Sequence, residues 1–323
     1  MRAYSLLLVS LLLGACASTT IPAKRLTSFS SAVTRTTSGV HDGFAAVEAQ
    51  QRARFYDGVV LSYVERKAPA TLNYRPLIDA DTLSVRQDVL DGLDAYAQIL
   101  ATVAGNAPFD SLDTESQALG AALKSIDLTK WTSLPQISGS QAGVISAAVQ
   151  ALGAFLIERK LASTLPPIIR AQQPNIREIA QFLIFDIGGT AREPCIADVE
   201  QVLNSALPLC AGGLLAMLDK AARDRTAQAD LLIEKTLAVQ QLDIRDLAAI
   251  KAEVSAVEGS LADAAAAREA LVQTQSALRS MVIAHESLVD AVDPSKAGTD
   301  AAIARLVFHA NRIQATYSKV KGD

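Results

Sequence analysis

The chain has 323 residues, half of them hydrophobic and a fifth charged, with 30 basic against 34 acidic side chains and a formal net charge of −4. Charge so balanced and interspersed excludes the basic stripe that a nucleic-acid surface needs, and no nucleic-acid partner is expected. Aromatic residues make up only 5%, and the abundance of Ala, Leu, Gln and Glu favours helix over strand.

The amino-terminal fifteen residues have three parts. Arg2 supplies a positive start, an apolar run from Leu6 to Leu13 is interrupted only by Ser10, and the small residues Gly14 and Ala15 precede Cys16. This is the layout of a removable export signal, and the run is too short to span a bilayer. The ending Leu13-Gly14-Ala15-Cys16 resembles the lipobox of bacterial lipoproteins. The resemblance implies cleavage before Cys16, diacylglycerol on its sulfur and an acyl chain such as palmitate on the new amino group. Ala17, where an Asp would retain the protein, implies transfer to the outer membrane, facing the periplasm or the cell surface. Two or more acyl chains anchor stably where one binds only marginally. Residues 16–25 then form a lipidated tether, and 26–323 the domain that it carries.

From Leu26 apolar residues recur at helical spacing through Phe29, Val33, Val40, Phe44, Val47, Phe55, Val59 and Tyr63, predicting a long first helix to about Lys67. Gly39, Gly43 and Gly58 each weaken it by about 1 kcal/mol, so bends are expected there. Pro69 and Pro76 mark a loop. Asp81 or Thr82 caps a second helix to about Ala104, which buries Val85, Val89, Leu90, Leu93, Tyr96, Ile99 and Leu100. Ser111 or Asp113 starts a third, to about Ile126, and a loop containing Trp131 and Pro135 follows.

A fourth helix is predicted from Ser140 to Ala162. Its segment from Ala142 to Ile157 has one strongly polar member, Gln150. Two readings arise: a central helix buried on all sides, or a segment that enters a bilayer through Val144, Ile145, Val149, Leu152 and Phe155, as in helical pore-forming proteins. A span needs about 20 residues, so the segment is short for the second. Pro174 in a first turn opens a fifth helix that stops at Gly188-Gly189.

Beyond Cys16 two cysteines remain, Cys195 and Cys210. In an oxidising compartment they are expected to pair. A closed loop of about 15 residues stabilises by roughly 3 kcal/mol in the chain-entropy account, and a short helix is expected inside it at 196–206. A heptad stripe then runs from Leu247 through Ile250, Val254, Val257, Leu261, Ala264, Arg268, Leu271, Gln275, Leu278, Val282, His285 and Val289 to Val292. Such a stripe predicts one long helix, roughly 69 Å, packed in coiled-coil fashion. Asp293-Pro294 ends it, and Thr299 or Asp300 caps a last helix through Tyr317. The expected fold is all-α: an elongated antiparallel helical bundle with long coiled-coil-like helices.

Catalytic patterns do not accumulate. Asp186-Ile187-Gly188-Gly189-Thr190 resembles the first phosphate loop of the sugar kinase and actin-like ATPase superfamily. There the loop joins two strands; here helical spacing precedes it, Pro194 follows, and no second phosphate loop is found, so the glycines read as a helix stop. His41, His285 and His309 lie far apart and form no metal motif, and no Gly-x-Ser-x-Gly elbow occurs. No cofactor, metal or enzymatic activity is expected. The functional expectation is a membrane-anchored scaffold that binds a protein or self-associates through its helices. The alternatives are a membrane-active protein using residues 142–157 and a small-ligand carrier.

Overall fold

A computed structural model describes residues 21–65, 73–76, 78–105, 120–124, 139–158, 165–239, 244–290 and 298–321. Cys16 and the expected export signal lie outside the described residues, as do most of the third helix expected from Ser111 or Asp113, the Trp131 loop and the expected helix end at Ala162. Among the described residues the fold is all-α. Seven long helices occur there: α1 (Ala23–Val64), α2 (Ala80–Ala104), α3 (Gly139–Glu158), α4 (Leu165–Ile187), α5 (Gly213–Val239), α6 (Ile244–Asp290) and α7 (Thr299–Lys321).

Local chemistry explains most boundaries. Asp79, rather than the expected Asp81 or Thr82, caps α2, accepting from the backbone N–H of Thr82 at 2.8 Å. The helix α1 starts three residues earlier than the periodicity suggests. Ile21 is already buried, and Arg25 clamps Asp300 at the head of α7 through two bonds of 2.7 and 2.9 Å. The expected bends at Gly39 and Gly43 have a packing counterpart. A Cβ there would come within 2.4 Å of Ile313 and 2.5 Å of Leu271, so both glycines let neighbouring helices approach closely.

Three expectations are corrected. The fifth predicted helix, α4, opens at Leu165 rather than at Pro174. Pro166 and Pro167 occupy its first turn, where a missing N–H is harmless. Pro174 lies inside, on the exposed face, where water can take the carbonyl it releases. The helix expected at 196–206 is only a 3₁₀ turn, Val199–Gln201, because the flanking backbone is drawn into isolated parallel bridges. The helix α5 was not anticipated: Lys220, Arg223, Asp224 and Arg225 interrupt its apolar stripe.

Side-chain pairs fix the topology. Phe29 lies by His285 and Gln50 bonds Ser260, so α1 and α6 are antiparallel. Gly39 meets Ile313 and Gly43 meets Tyr317, so α1 and α7 are parallel. Asp57 pairs with Arg225 and Gly58 faces Gln228, so α1 and α5 are parallel as well. Tyr317, near the end of α7, is level with Gly43; Arg86, near the start of α2, lies over Phe44; and Asp186, at the end of α4, meets Arg86. Past about residue 50, therefore, only α5, the first half of α6 and residues 73–76 accompany α1 among the described residues. The molecule has a many-helix body and a three-helix extension.

The stripe on α6 divides the same way. In the body, Leu271, Leu278 and Val282 are buried, but so are Ala267, Ala270, Ala277, Met281 and Ala284 off the stripe. That half is a central helix ringed by neighbours rather than a coiled-coil seam. In the extension Val257 is buried while Val254 is 47% exposed.

Candidate functional site

The apolar segment comes first. Ile145, Val149 and Leu152 on α3 are buried against the body, Phe155 is half-buried edge-on to Tyr96 at 5.5 Å, and Val144 is 52% exposed. The expectation of a helix buried on all sides is thus overturned: Val144, Ala147 and Gln150 face outward. To enter a bilayer, Ile145, Val149 and Leu152 would first have to leave the core. Among the described residues no helix is long and apolar enough to cross a membrane.

The second region is the chain from Gly188 to Gly213. The sulfurs of Cys195 and Cys210 are 2.00 Å apart, a disulfide distance. Backbone bonds tie the two arms: Cys210 N–H donates to Ile196 O at 3.0 Å, Ala211 N–H to Ala191 O at 3.0 Å and Gly212 N–H to Gly189 O at 3.0 Å. Gly188 has a φ of +73° and donates to Ile184 O at 3.1 Å, so it closes α4 as a left-handed cap. A Cβ on it would lie 2.0 Å from Gly212 O. From α6, Gln275 donates to Ile184 O at 3.0 Å, beside the Gly188 N–H, and to Gly188 O at 2.7 Å, and so ties that helix end to α6.

The Asp-x-Gly-Gly-Thr match is therefore a structural joint. Its backbone is bonded within the chain rather than arranged around an anion, and Asp186 faces the core. There Arg86 donates to Asp186 through Nε and Nη2, each at 2.8 Å, with both side chains almost wholly buried. Arg86 also donates to Thr82 O at 3.2 Å. A bidentate pair with further hydrogen bonds is the arrangement that makes buried charge tolerable. A cue stood in the sequence: Arg86 interrupts the buried face of α2, and Asp186 interrupts an apolar run.

His285 belongs to a second buried network. Gln173 Oε1 can only accept, so His285 Nδ1 donates to it, and Nε2 accepts from the Tyr96 hydroxyl at 2.7 Å. Burial pushes His285 down to about 3 and raises Tyr96 well above its ordinary value. The ring is thus neutral at ordinary pH and supplies no proton. His41 lies by Asp91 at 3.4 Å and His309 by Gln273 at 3.3 Å, far from it. Among the described residues no group of three or more His, Cys, Asp or Glu side chains could hold a metal ion.

The extension carries the remaining features. Tyr56, Val60 and Tyr63, at i, i+4 and i+7 of α1, are 52%, 47% and 54% exposed and share one face. On an adjacent face, α1, residues 74–76 and α5 enclose a concavity of about 440 Å³. Several of its polar neighbours are paired. Tyr74 donates to Glu48 at 2.6 Å, and Arg52 lies 5.3 Å above the Tyr74 ring. Burial, then the bond to Glu48, pushes Tyr74 up to about 12. Asp57 and Arg225 pair at 2.7 Å. These groups come from distant stretches of chain, and no local spacing announces them. Comparison with known proteins finds no matching family model, no matching curated protein and no matching solved structure.

Proposed function

We propose that this chain is a lipid-anchored envelope lipoprotein of the outer membrane that binds another protein through its helices and performs no catalysis. The observation that supports it best is the outward face of Tyr56, Val60 and Tyr63 on the three-helix extension. Three large apolar or amphipathic side chains on one unpartnered face are costly to leave in water, and tyrosine is enriched where proteins meet. Lipidation of Cys16 adds a geometric reason. Ile21 is buried in the body, so the five-residue step from Cys16 spans at most about 18 Å. The 42 residues of α1 then rise roughly 60 Å toward the extension. On this reading the body stays near the membrane and the tyrosine face is held away from it.

The test uses the full chain in a Gram-negative cell. Wild type is expected to incorporate labelled palmitate and to sediment with outer membranes, and Cys16→Ser to lose both. Crosslinking and affinity capture from those membranes are expected to recover a defined complex, lost when Tyr56, Val60 and Tyr63 are changed together to Ser. A strictly monomeric, partnerless chain on the membrane would overturn the binding reading while leaving the anchor intact.

A further inference from the structure

We infer that the concavity on the three-helix extension is a binding site for a small organic anion with a planar apolar body, of the aromatic carboxylate class. The inference does not depend on the anchor or on the protein-binding face. It rests on what lines the hollow and on what holds the lining in place.

The volume, about 440 Å³, lies in the range of small-molecule sites. Two guanidinium groups, Arg54 and Arg75, border it, and no carboxylate is among its described lining residues. An anionic group is therefore the complementary charge. Phe55 and Tyr74 form an aromatic wall, with ring centroids 5.4 Å apart and nearly edge-to-face. A planar ring packs well on such a wall. Gln51 and Gln228 complete the polar lining.

The lining is braced from behind. Tyr74 is held by Glu48 at 2.6 Å. Arg54 donates to Gln51 at 3.2 Å, and its Nε stands 2.8 Å from Asp224, close enough for an ion pair but angled off a hydrogen bond. Asp224 is in turn held by Lys220 at 2.6 Å. Asp224 thus offsets much of the charge of Arg54 and fixes its plane. Arg75 is exposed at the rim and is the cation with which an entering anion would pair. A side chain placed by its neighbours loses little freedom when a ligand arrives.

The experiment is calorimetric titration of the purified full chain with 4-hydroxybenzoate, with acetate as the same anion lacking a ring. One-to-one binding of 4-hydroxybenzoate is expected, with acetate at least tenfold weaker, a loss of about 1.4 kcal/mol. Arg75→Gln, at an exposed position that leaves the fold intact, is expected to weaken 4-hydroxybenzoate about tenfold. Arg75→Lys should fall between the two, and Arg305→Gln, exposed on α7, should match wild type. No binding of 4-hydroxybenzoate, equal binding of acetate, or affinity unchanged in Arg75→Gln would each overturn the assignment.

Discussion

The two halves of α6 share one heptad stripe and end in different environments. From Ala264 to Leu288 the helix is enclosed: residues on and off the stripe are buried, and Thr274, Gln275 and His285, three of the polar ones among them, have hydrogen-bond partners. Before Ala264 the helix has fewer neighbours, Val254 is exposed, and Val257 is the buried member of the pattern among the described side chains. The periodicity therefore fixes where the helix can pack, while the number of surrounding helices decides how much of it is buried. Stability should concentrate in the body. The extension, held by small residues and ion pairs, is left free to present side chains outward.

The sharpest way to break that contrast is to unbalance the buried ion pair in the body. Arg86→Met removes the bidentate partner of the buried Asp186 and should destabilise the protein by about 3–5 kcal/mol in urea titration. Arg86→Met with Asp186→Leu removes both charges and should recover most of that loss. A double variant as unstable as the single one would mean that packing, not charge, makes the site sensitive.

The next effect is at the edge of the body. Opening the Cys195–Cys210 pair by the double Ser variant should cost roughly 3 kcal/mol, because a separation of 15 residues is released in the unfolded chain. A loss near zero would show that the backbone bridges and Gln275 hold the joint unaided.

A third effect is set by pH. Burial lowers His285 from 6.5 to about 3. Below about pH 6.5 the unfolded chain takes up a proton that the folded chain refuses, so this contribution is complete above 6.5 and is lost as pH falls toward 3. Between pH 6.5 and 5 the loss should be about 2 kcal/mol. His285→Gln should flatten that limb relative to wild type, whatever its stability at pH 7. Parallel stability curves for the two proteins would show that His285 does not carry the acid response.

How much of this was legible follows from how local each signal is. The long helices α1, α2 and α6 and the stop at Gly188 were readable because glycine geometry and apolar period act within a few turns. The pairing of Cys195 with Cys210 was readable because no other cysteine occurs beyond Cys16. The helix α5 was missed because Asp224 and Arg225 break its apolar face to meet Arg54 and Asp57 across the extension. Those partners lie on a distant segment, so the charges looked like solvent-facing residues. The same holds for the concavity, whose walls come from residues 51–59, 74–76 and Gln228. The burial of α3 was misjudged because a helix rich in Ala and Gly looks apolar on every side, whether or not every side is covered.

The smallest effect tests the extension itself. Asp57 and Arg225 are among its less exposed charges, with side chains 19% and 12% exposed, and their pair closes at 2.7 Å. Partial solvent access and mobile side chains keep such a pair within about 1 kcal/mol. Arg225→Gln should therefore leave the urea midpoint almost unmoved while raising amide exchange in residues 51–64 and 219–235. Exchange in residues 264–288 should not change, because protection there reports the opening of the body. If exchange rose equally in both, the two regions would unfold as one unit, and the division of labour between a stable body and a presenting extension would fail.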